Sequence, residues 1–412
     1  MEIIHPCCCG LDVHAKTVVA CLIKQGKKQT RTFSTMTDDL LALADWLASE
    51  GCTHVAIEST GVYWRPVFNL LEGVLEVILV NARHVKALPG RKTDVKDCEW
   101  LADLLRHGLL KASFIPPAHI RELREVVRYR QSVVKEQAAV ANRVQKLIES
   151  ANIKLGQVAS DVLGASGRAM LQALVQGERD AQQLAELARG TLKQKRPALR
   201  RALQGHLTPS QRWVLGELLG RYQELEAALD RVNEQIRTEV AQSPDPFVAE
   251  AVPLLDSIPG VGEQVAQTII AEIGVDMSRF PSAGHLASWA GMCPGNNESA
   301  GKRRSGKTRK GSPYLRAMLV QAAWAASHTK GTYLAAQFRR LVRRMGKKKA
   351  LVAVGHSILV MVYQVLWRRV SYAELGGDYF DRRDVEAQRR RLVRRLESLG
   401  LRVTIEELGQ TA

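Results

Sequence analysis

Four acidic residues near the start of the chain are the side chains best suited to chemistry: Asp12, Glu58, Asp94 and Asp97. Carboxylate oxygens are the ligands that Mg²⁺ and Mn²⁺ prefer. Paired metal ions can stabilise the attacking and leaving oxygens of an in-line displacement at phosphorus. Taken singly, Asp94 could be an ordinary helix cap and Asp12 and Glu58 ordinary acids at strand ends, but clustered carboxylates repel one another without a cation. We therefore predict that the four residues form a divalent-metal site.

The elements that carry these residues must bring them together. Strands are predicted at residues 7–12, 17–22, 28–34, 54–58 and 76–80, and helices at 37–49, capped by Thr37, 63–71 and 94–107. This order is typical of a ribonuclease H-like mixed sheet, in which the first and fourth strands are neighbours. Asp12 and Glu58 each end one of those strands, so we expect them to converge. Asp94 and Asp97 are three residues apart and share a helix face.

Two long helices with heptad spacing are predicted next. One runs from residue 118 to about 155, and the second heptad run spans 215–236 and stops before Pro244 and Pro246. Arg130 and Gln137 interrupt the first seam, which comprises Leu123, Val126, Val133, Val140, Val144, Leu147 and Ala151. The pattern indicates a coiled coil with short helices at its tip, and it leaves open whether the helices pair within one chain or between protomers.

The positive charge of the chain is concentrated in one segment. The net charge is +17, and residues 296–349 hold 15 basic residues and one acidic residue. A solvated basic face would explain a dispersed excess, but a concentrated one is typical of a protein that binds nucleic-acid phosphates. The candidate contacts are Lys302, Arg303, Arg304, Lys307, Arg309, Lys310 and Arg316.

A second nucleic-acid motif precedes that segment. The stretch Leu255-Asp-Ser-Ile-Pro-Gly-Val-Gly262 is followed by a predicted helix over 263–273, which is the pattern of a helix-hairpin-helix. In that motif the amides of the turn, here around Gly260 and Gly262, face a DNA phosphate at a helix N-terminus. A plain Pro-Gly turn is the alternative interpretation.

The basic segment also offers serines that could attack phosphorus. Ser299, Ser305 and Ser312 all lie among cations that would favour an alkoxide. Composition makes the three equivalent, and any one of them could equally be a surface serine.

Composition also bears on the compartment. Residues 1–10 lack a secretory signal, and the seven cysteines show neither a disulfide framework nor zinc-site spacing. The apolar run 350–367 contains His356, Ser357 and Gln364, which favour a buried core helix over a membrane span. We expect a cytoplasmic protein without a membrane partner.

These motifs together resemble a family of bacterial insertion-sequence transposases with an Asp-Glu-Asp-Asp tetrad, the group numbered one-ten and its eleven-eleven subgroup. The segments that look like the tetrad motifs are Gly10-Leu-Asp-Val-His14, Ile57-Glu-Ser-Thr-Gly-Val-Tyr63 and Lys92-Thr-Asp-Val-Lys-Asp97. Ser257 to Gly262, Phe280, Gly291, Pro294, Ser299 and Leu315-Arg316 look like its C-terminal domain. The similarity spans nearly the whole chain.

The resemblance implies a RuvC-like nuclease domain (1–115), a coiled-coil linker (116–246), a helical transposase domain (247–370) and a charged helical tail (371–412). It implies that Ser299 is the nucleophile and that Mg²⁺ or Mn²⁺ is the cofactor. It further implies donor and target DNA as substrates, a guide RNA encoded by the element, and a homodimer or homotetramer in which one protomer's carboxylates meet another's serine.

Three functions therefore compete. The first is a transposase that cleaves and rejoins DNA through a serine–phosphate link. The second is a Holliday-junction-resolving metal nuclease that uses water and forms no covalent link. The third is a non-catalytic nucleic-acid-binding scaffold.

Overall fold

The computed structural model describes residues 2–59, 61–82, 85, 97–295, 297–299, 302–383 and 385–404. They form two compact units, Met1–Ile115 and Pro116–Ala412. The predicted divisions of the second unit at 246 and 370 stay predictions. Asp94 lies outside the described residues.

The first unit is built on a five-stranded mixed sheet in the order β3-β2-β1-β4-β5. Its elements are β1 Cys7–Val13, β2 Thr17–Lys24, β3 Lys27–Ser34, α1 Thr37–Ser49, β4 His54–Glu58, α2 Trp64–Leu71, β5 Glu76–Val80 and α3 Asp97–Arg106. The first three strands are antiparallel, and β1–β4 and β4–β5 are parallel. This confirms the predicted ribonuclease H-like strand order.

Alternating side chains of the sheet form two apolar layers. Leu11 and Ile57 pack on the side of α1 and α2, where Leu43, Leu47 and Phe68 meet them. Cys8 and Ala56 pack on the opposite side with Leu101 and Leu105 of α3. Because strand side chains alternate between faces, residues that follow Leu11 and Ile57 point toward α3.

Two helix boundaries in the first unit differ from the prediction. Thr37 does not cap α1: the N-cap residue is Met36, and no side chain caps the helix. The last helix is described over Asp97–Arg106 and ends one residue before the predicted His107, and its predicted start at Asp94 lies outside the described residues.

The second unit begins with two long helices, α4 Ala118–Ser150 and α9 Pro209–Ala241. Between them lie α5 Leu155–Val158, α6 Ala165–Gln176, α7 Ala181–Glu186 and α8 Arg196–Ala202. Val133 and Val140 pack against Leu225, and near the tip Gln211 of α9 donates a hydrogen bond to Ser150 at the end of α4. The helices are therefore antiparallel and pair within one chain.

The seam of α4 differs in detail from the predicted one. The buried residues include Val127 and Ile148 in place of Val126 and Leu147. Arg130 is buried, and its guanidinium donates hydrogen bonds to Gln264, Gln267 and Thr268. The helix ends at Ser150, before the predicted residue 155, because Asn152 adopts a left-handed conformation with φ 56°.

The remaining chain is helical apart from one hairpin. Its elements are α10 Phe247–Asp256, α11 Glu263–Ile273, α12 Ala283–Trp289, β6 Asn297–Ser299, β7 Lys302–Ser305, α13 Pro313–His328, α14 Tyr333–Met345, α15 Lys347–Arg368, α16 Tyr379–Arg383 and α17 Val385–Glu397. By length and composition α15 could cross a membrane, and half of its most apolar stretch of 18 residues is buried within the protein. Val354, Ile358, Leu359 and Val362 are among its buried residues, which supports a core helix.

Candidate active site

Asp12 and Glu58 occupy neighbouring positions on two parallel strands. The register of β1 and β4 pairs Leu11 with Ile57, so the next residue on each strand is the acid. Paired strands lie about 4.8 Å apart, and both acids follow residues that face α1 and α2. Asp12 and Glu58 therefore lie side by side on the α3 face of the sheet, as the strand order predicted.

The first turn of α3 lies directly on β1 beside these acids. Gly10 approaches it so closely that a Cβ there would stand 2.2 Å from the Cys98 carbonyl oxygen. Burial raises the pKa of the Cys98 thiol to about 11, and the nearby charge of Asp12 adds to the rise. Asp97 precedes Cys98 and is exposed, so three of the four predicted acids lie around one corner of the sheet.

The donor chemistry of this corner suits a hard cation, because two adjacent carboxylates can offer oxygen ligands. Across the part of the chain that the structure describes, however, no three Asp, Glu, His or Cys side chains are grouped closely enough to hold a metal ion. Asp94, the fourth predicted ligand, falls outside that part, and the complete predicted set stays a prediction.

His14 is a neighbour of the acids that was not predicted from the sequence. Its Nε2 lies 3.2 Å from the Asp12 Oδ2, and both side chains are accessible to solvent. The signal was the spacing of two residues in Asp12-Val-His14, because residues two apart in an extended chain point to the same side. A histidine here can orient the Asp12 carboxylate or carry a proton beside it.

The basic glycine-rich segment forms a β-hairpin, which the sequence did not predict. β6 and β7 pair antiparallel, with Ser299 opposite Lys302. Below them, the Gly295 amide donates to the Lys307 carbonyl at 2.8 Å. At the base, a Cβ on Gly311 would stand 2.3 Å from the Ala290 carbonyl oxygen. Glycine at position 311 therefore allows the two backbone segments at the base of the hairpin to approach each other closely.

The predicted cations lie along this hairpin and just beyond it. Lys302, Lys307, Arg309 and Lys310 are exposed, and Arg316 on α13 is half-buried. None of these five forms an ion pair with any side chain described in the structure. Of Arg303 and Arg304 only the backbone, in β7, is described. The hairpin thus presents positive charge that the described residues do not neutralise.

The three candidate serines differ in their surroundings. Ser312 is the N-cap of α13: its hydroxyl accepts from the Leu315 amide and donates to the Glu272 carboxylate at 2.9 Å. The Ser305 hydroxyl accepts from the Lys307 amide at 3.2 Å. The backbone of Ser299 lies at the end of β6. Ser312 is thus engaged in holding the fold.

Glu272 is the centre of a buried polar cluster. Its side chain is 1% exposed, and Arg128 of α4 donates to both carboxylate oxygens at 2.7 and 2.9 Å. Two residues further along α4, Arg130 donates to the Gln264 carbonyl and to the side chains of Gln267 and Thr268. Arginines of α4 therefore hold α11, and Glu272 also holds the start of α13 through Ser312.

The predicted turn lies between two helices, α10 and α11, and its assignment as a helix-hairpin-helix stays a prediction. Gly260 has φ +85°, and a Cβ there would stand 2.4 Å from the Ala322 carbonyl oxygen of α13. Packing of the turn against α13 therefore requires glycine at position 260, and a role of the turn in DNA binding stays a prediction. Around Gly262 a Cβ would meet nothing within 4 Å, so this end of α11 is open to a ligand.

Comparison with known proteins decides the family. A transposase family model of the DEDD IS110 type matches residues 9–153. A second model, for the transposase IS116/IS110/IS902 family, matches residues 252–339. The chain belongs to the IS110 family of transposases. The first match spans the four predicted acids, and the second spans Ser299 and the hairpin cations.

Relatives of this IS110-family transposase include proteins that invert DNA. A pilin gene-inverting protein of Moraxella bovis is 24% identical over 369 residues, which cover 87% of this chain and 94% of the relative. The pilin gene-inverting protein of Moraxella lacunata is 34% identical over 120 residues, 27% of this chain and 36% of the relative. An uncharacterized IS110 insertion-element protein of Streptomyces coelicolor is 27% identical over 307 residues, 70% of this chain and 74% of the relative.

Family membership establishes the reaction class. This IS110-family transposase is a phosphoryl-transfer enzyme that acts on DNA. The family is one whose members in general use a divalent metal ion.

Proposed function

We propose that this transposase cuts and rejoins DNA by forming a transient bond between Ser299 and a DNA phosphate, aided by a metal at Asp12, Glu58, Asp94 and Asp97. The product is an excised and reinserted element. Inversion, which the names of the two Moraxella relatives describe, needs the same cutting and rejoining of strands.

One observation carries the metal half of the proposal: the parallel register that sets Asp12 and Glu58 side by side beneath the start of α3. Adjacent carboxylates that face solvent repel one another unless a cation lies between them. Bound Mg²⁺ or Mn²⁺ would neutralise charge that develops on the scissile phosphate. His14, in contact with Asp12, would hold that carboxylate in place.

The serine half is supported by the hairpin. Ser299 stands opposite Lys302 in the register, in a segment whose exposed cations favour a phosphate nearby. In the proposed step the Ser299 Oγ loses its proton and bonds to phosphorus. The bond from phosphorus to the leaving deoxyribose oxygen breaks, and that oxygen gains a proton. Rejoining is the reverse attack by a deoxyribose hydroxyl on the serine phosphodiester.

Trapping the covalent intermediate tests the serine assignment. Purified protein is incubated with element-end DNA and Mg²⁺, denatured, and separated by electrophoresis, with the DNA labelled. We expect a protein–DNA band that is absent in Ser299→Ala and present in the matched variants Ser305→Ala and Ser312→Ala. Retention of the band in Ser299→Ala overturns the assignment. Free cleaved ends without a band in the unaltered protein would favour the metal nuclease instead.

The metal half is tested separately by binding. We expect Asp12→Asn and Glu58→Gln to abolish strand exchange and to weaken Mn²⁺ binding, measured by titration calorimetry, while DNA binding is retained. Asp103→Asn, a carboxylate of α3 that pairs with His107, is the matched control. Unchanged Mn²⁺ binding in both variants would show that Asp12 and Glu58 are not metal ligands, and it would favour a non-catalytic scaffold.

We further propose a guide RNA encoded by the element, a homotetramer in which the serine of one protomer meets the carboxylates of another, and residence in the cytoplasm. The resemblance of the motifs supports these points. Sequencing the RNA that copurifies with the protein from its host tests the first, and a specific transcript from the element's flank is the expected result. Mixing Asp12→Asn and Ser299→Ala protomers tests the second. In a mixed assembly the intact serine of one protomer can meet the intact carboxylates of another, so part of the activity is restored.

A further inference from the structure

A dense group of cations lies at the bend between α14 and α15, away from the hairpin in sequence. It comprises Arg339, Arg340, Arg343, Arg344, Lys347, Lys348 and Lys349, and we refer to these residues as the basic elbow. All seven side chains are exposed. From the structure and the family match, we infer that the basic elbow binds the phosphate backbone of duplex DNA.

The geometry of the bend concentrates these charges on a firm support. Gly346, with φ +78°, ends α14 and begins α15, so the last turns of one helix adjoin the first turn of the other. Gln337 of α14 donates to Ser357 of α15 at 2.8 Å, which ties the two helices together. The cations are therefore fixed on two helices and not spread along a loop.

The described residues around the bend form no ion pairs with these cations. The sequence contains no acidic residue between Glu298 and Glu374. Glu374 accepts from the Tyr333 amide at the far end of α14, which a helix of this length places about 18 Å away. Within the described part of the chain, no ion pair involves an elbow residue. The Arg340 Cζ lies over the Phe380 ring, 5.1 Å from the ring centroid.

The lysines also oppose the intrinsic preference of their helix. Lys347, Lys348 and Lys349 occupy the first turn of α15, which has no acidic residue and no side-chain cap. A helix N-terminus carries partial positive charge, so each lysine there lowers the stability of the helix by about 0.3–1 kcal/mol. Violations of a local rule are expected where function requires them.

The composition of the basic elbow favours duplex DNA over single strands. Residues 339–349 include no Phe, Trp or Tyr, and single-strand binding sites rely on aromatic side chains that stack on bases. Cations on a rigid helical support contact phosphates without reading sequence. The second family match ends at residue 339, so six of the seven cations lie beyond it and complement the hairpin cations.

The inference is tested by the salt dependence of binding. A labelled DNA duplex is titrated by fluorescence anisotropy at several salt concentrations, without divalent metal, with the unaltered protein and with Lys347→Gln/Lys348→Gln/Lys349→Gln. Each lost phosphate contact lowers the slope of log affinity against log salt by roughly 0.9. We expect the slope to fall by about 2–3 if all three lysines contact phosphates.

The matched control is Arg143→Gln/Lys146→Gln/Arg231→Gln, which removes the same charge from exposed positions on α4 and α9. We expect its slope to equal that of the unaltered protein. Thermal melting should show that the lysine variant is folded and no less stable. An unchanged slope in the lysine variant, or an equal fall in the control, overturns the inference.

Two further titrations, with duplex RNA and with single-stranded DNA, distinguish between possible ligands. The lysine substitutions should change the salt slope less with these two ligands than with duplex DNA. A fall in the slope that is confined to RNA would contradict the inference and assign the basic elbow to RNA. Because no cleavage is measured, the result is independent of whether Ser299 is the nucleophile.

Discussion

Gly10 of β1 and Cys98 of α3 are in direct backbone contact: a Cβ on Gly10 would stand 2.2 Å from the Cys98 carbonyl oxygen and 2.5 Å from the Ala102 amide nitrogen. This contact lies two residues before Asp12 and one residue after Asp97. It therefore fixes how near the first turn of α3 can come to the strand that carries the first acid.

Gly10→Ala should destabilise the first unit and impair catalysis. The added methyl must displace backbone, so we expect a loss of about 1–3 kcal/mol or more in the free energy of unfolding, measured by urea denaturation. Gly220→Ala is the matched control, because that α9 glycine has open space around its Cβ position and should gain about 0.5–1 kcal/mol. Equal stability of the two variants would contradict the contact.

Gly260 and Gly262 should separate folding from DNA binding. Gly260→Ala forces a Cβ into α13 at a positive φ, so we expect a lower melting temperature. Gly262→Ala meets no atom within 4 Å and should lower the melting temperature less, because its only cost is alanine at an N-cap. If the α11 N-terminus binds a phosphate, Gly262→Ala weakens DNA affinity more than Gly260→Ala does relative to its effect on the melting temperature. Normal stability of Gly260→Ala would show that the packing contact is wrong.

The Glu272 cluster should dominate the stability of the second unit. Glu272→Gln leaves the Arg128 guanidinium without its counterion, at a cost on the order of 3 kcal/mol. Ser312→Ala loses an N-cap and should cost about 1 kcal/mol. The exposed pair Arg237–Glu263 is the control, and Glu263→Gln should lower the free energy of unfolding much less, because solvent screens an exposed ion pair. A double-mutant cycle between positions 272 and 312 should show coupling, and strict additivity would argue against their hydrogen bond.

His356 should make stability depend on pH. Burial lowers the pKa of its imidazole below 6.5, so the folded protein binds its proton less readily than the unfolded chain. The stabilising contribution is therefore complete above pH 6.5 and decreases as the pH falls through the unfolded value toward the folded one. Cys293, whose Sγ lies 3.8 Å from the His356 Nδ1, contacts the neutral ring.

The measurement is the urea midpoint at pH 7.5 and pH 5.5. We expect the decrease on acidification to be smaller in His356→Gln than in the unaltered protein. His206→Gln, at an exposed position, should leave the decrease unchanged. An identical decrease in His356→Gln would mean that this histidine does not titrate on unfolding.

The sequence predicted most of what depends on local pattern. Alternation and turn residues placed five strands within two residues of their observed ends and gave the ribonuclease H-like order. Because that order makes β1 and β4 neighbours, the meeting of Asp12 with Glu58 could also be predicted. The helix that follows the Pro-Gly-Val-Gly turn, Glu263–Ile273, was predicted at its observed bounds.

Other features depended on contacts between distant segments. Heptad spacing indicated a seam, but only the fold showed that α4 and α9 pair within one chain and that Arg130 is buried against α11. A glycine-rich basic stretch gave no strand signal, because its hairpin is held at the base by backbone approaches between Gly291 and Gly311.

The sequence by itself therefore determined the chemistry available to this transposase: which acids end which strands, and where the positive charge is concentrated. Periodicity and charge are local properties that can be read along the chain. Only the tertiary structure decided what Gly10, Gly260 and Ser312 do, because a glycine or a serine takes its role from the atoms beside it. For these three residues those atoms belong to Cys98, Ala322 and Glu272, which are distant along the chain.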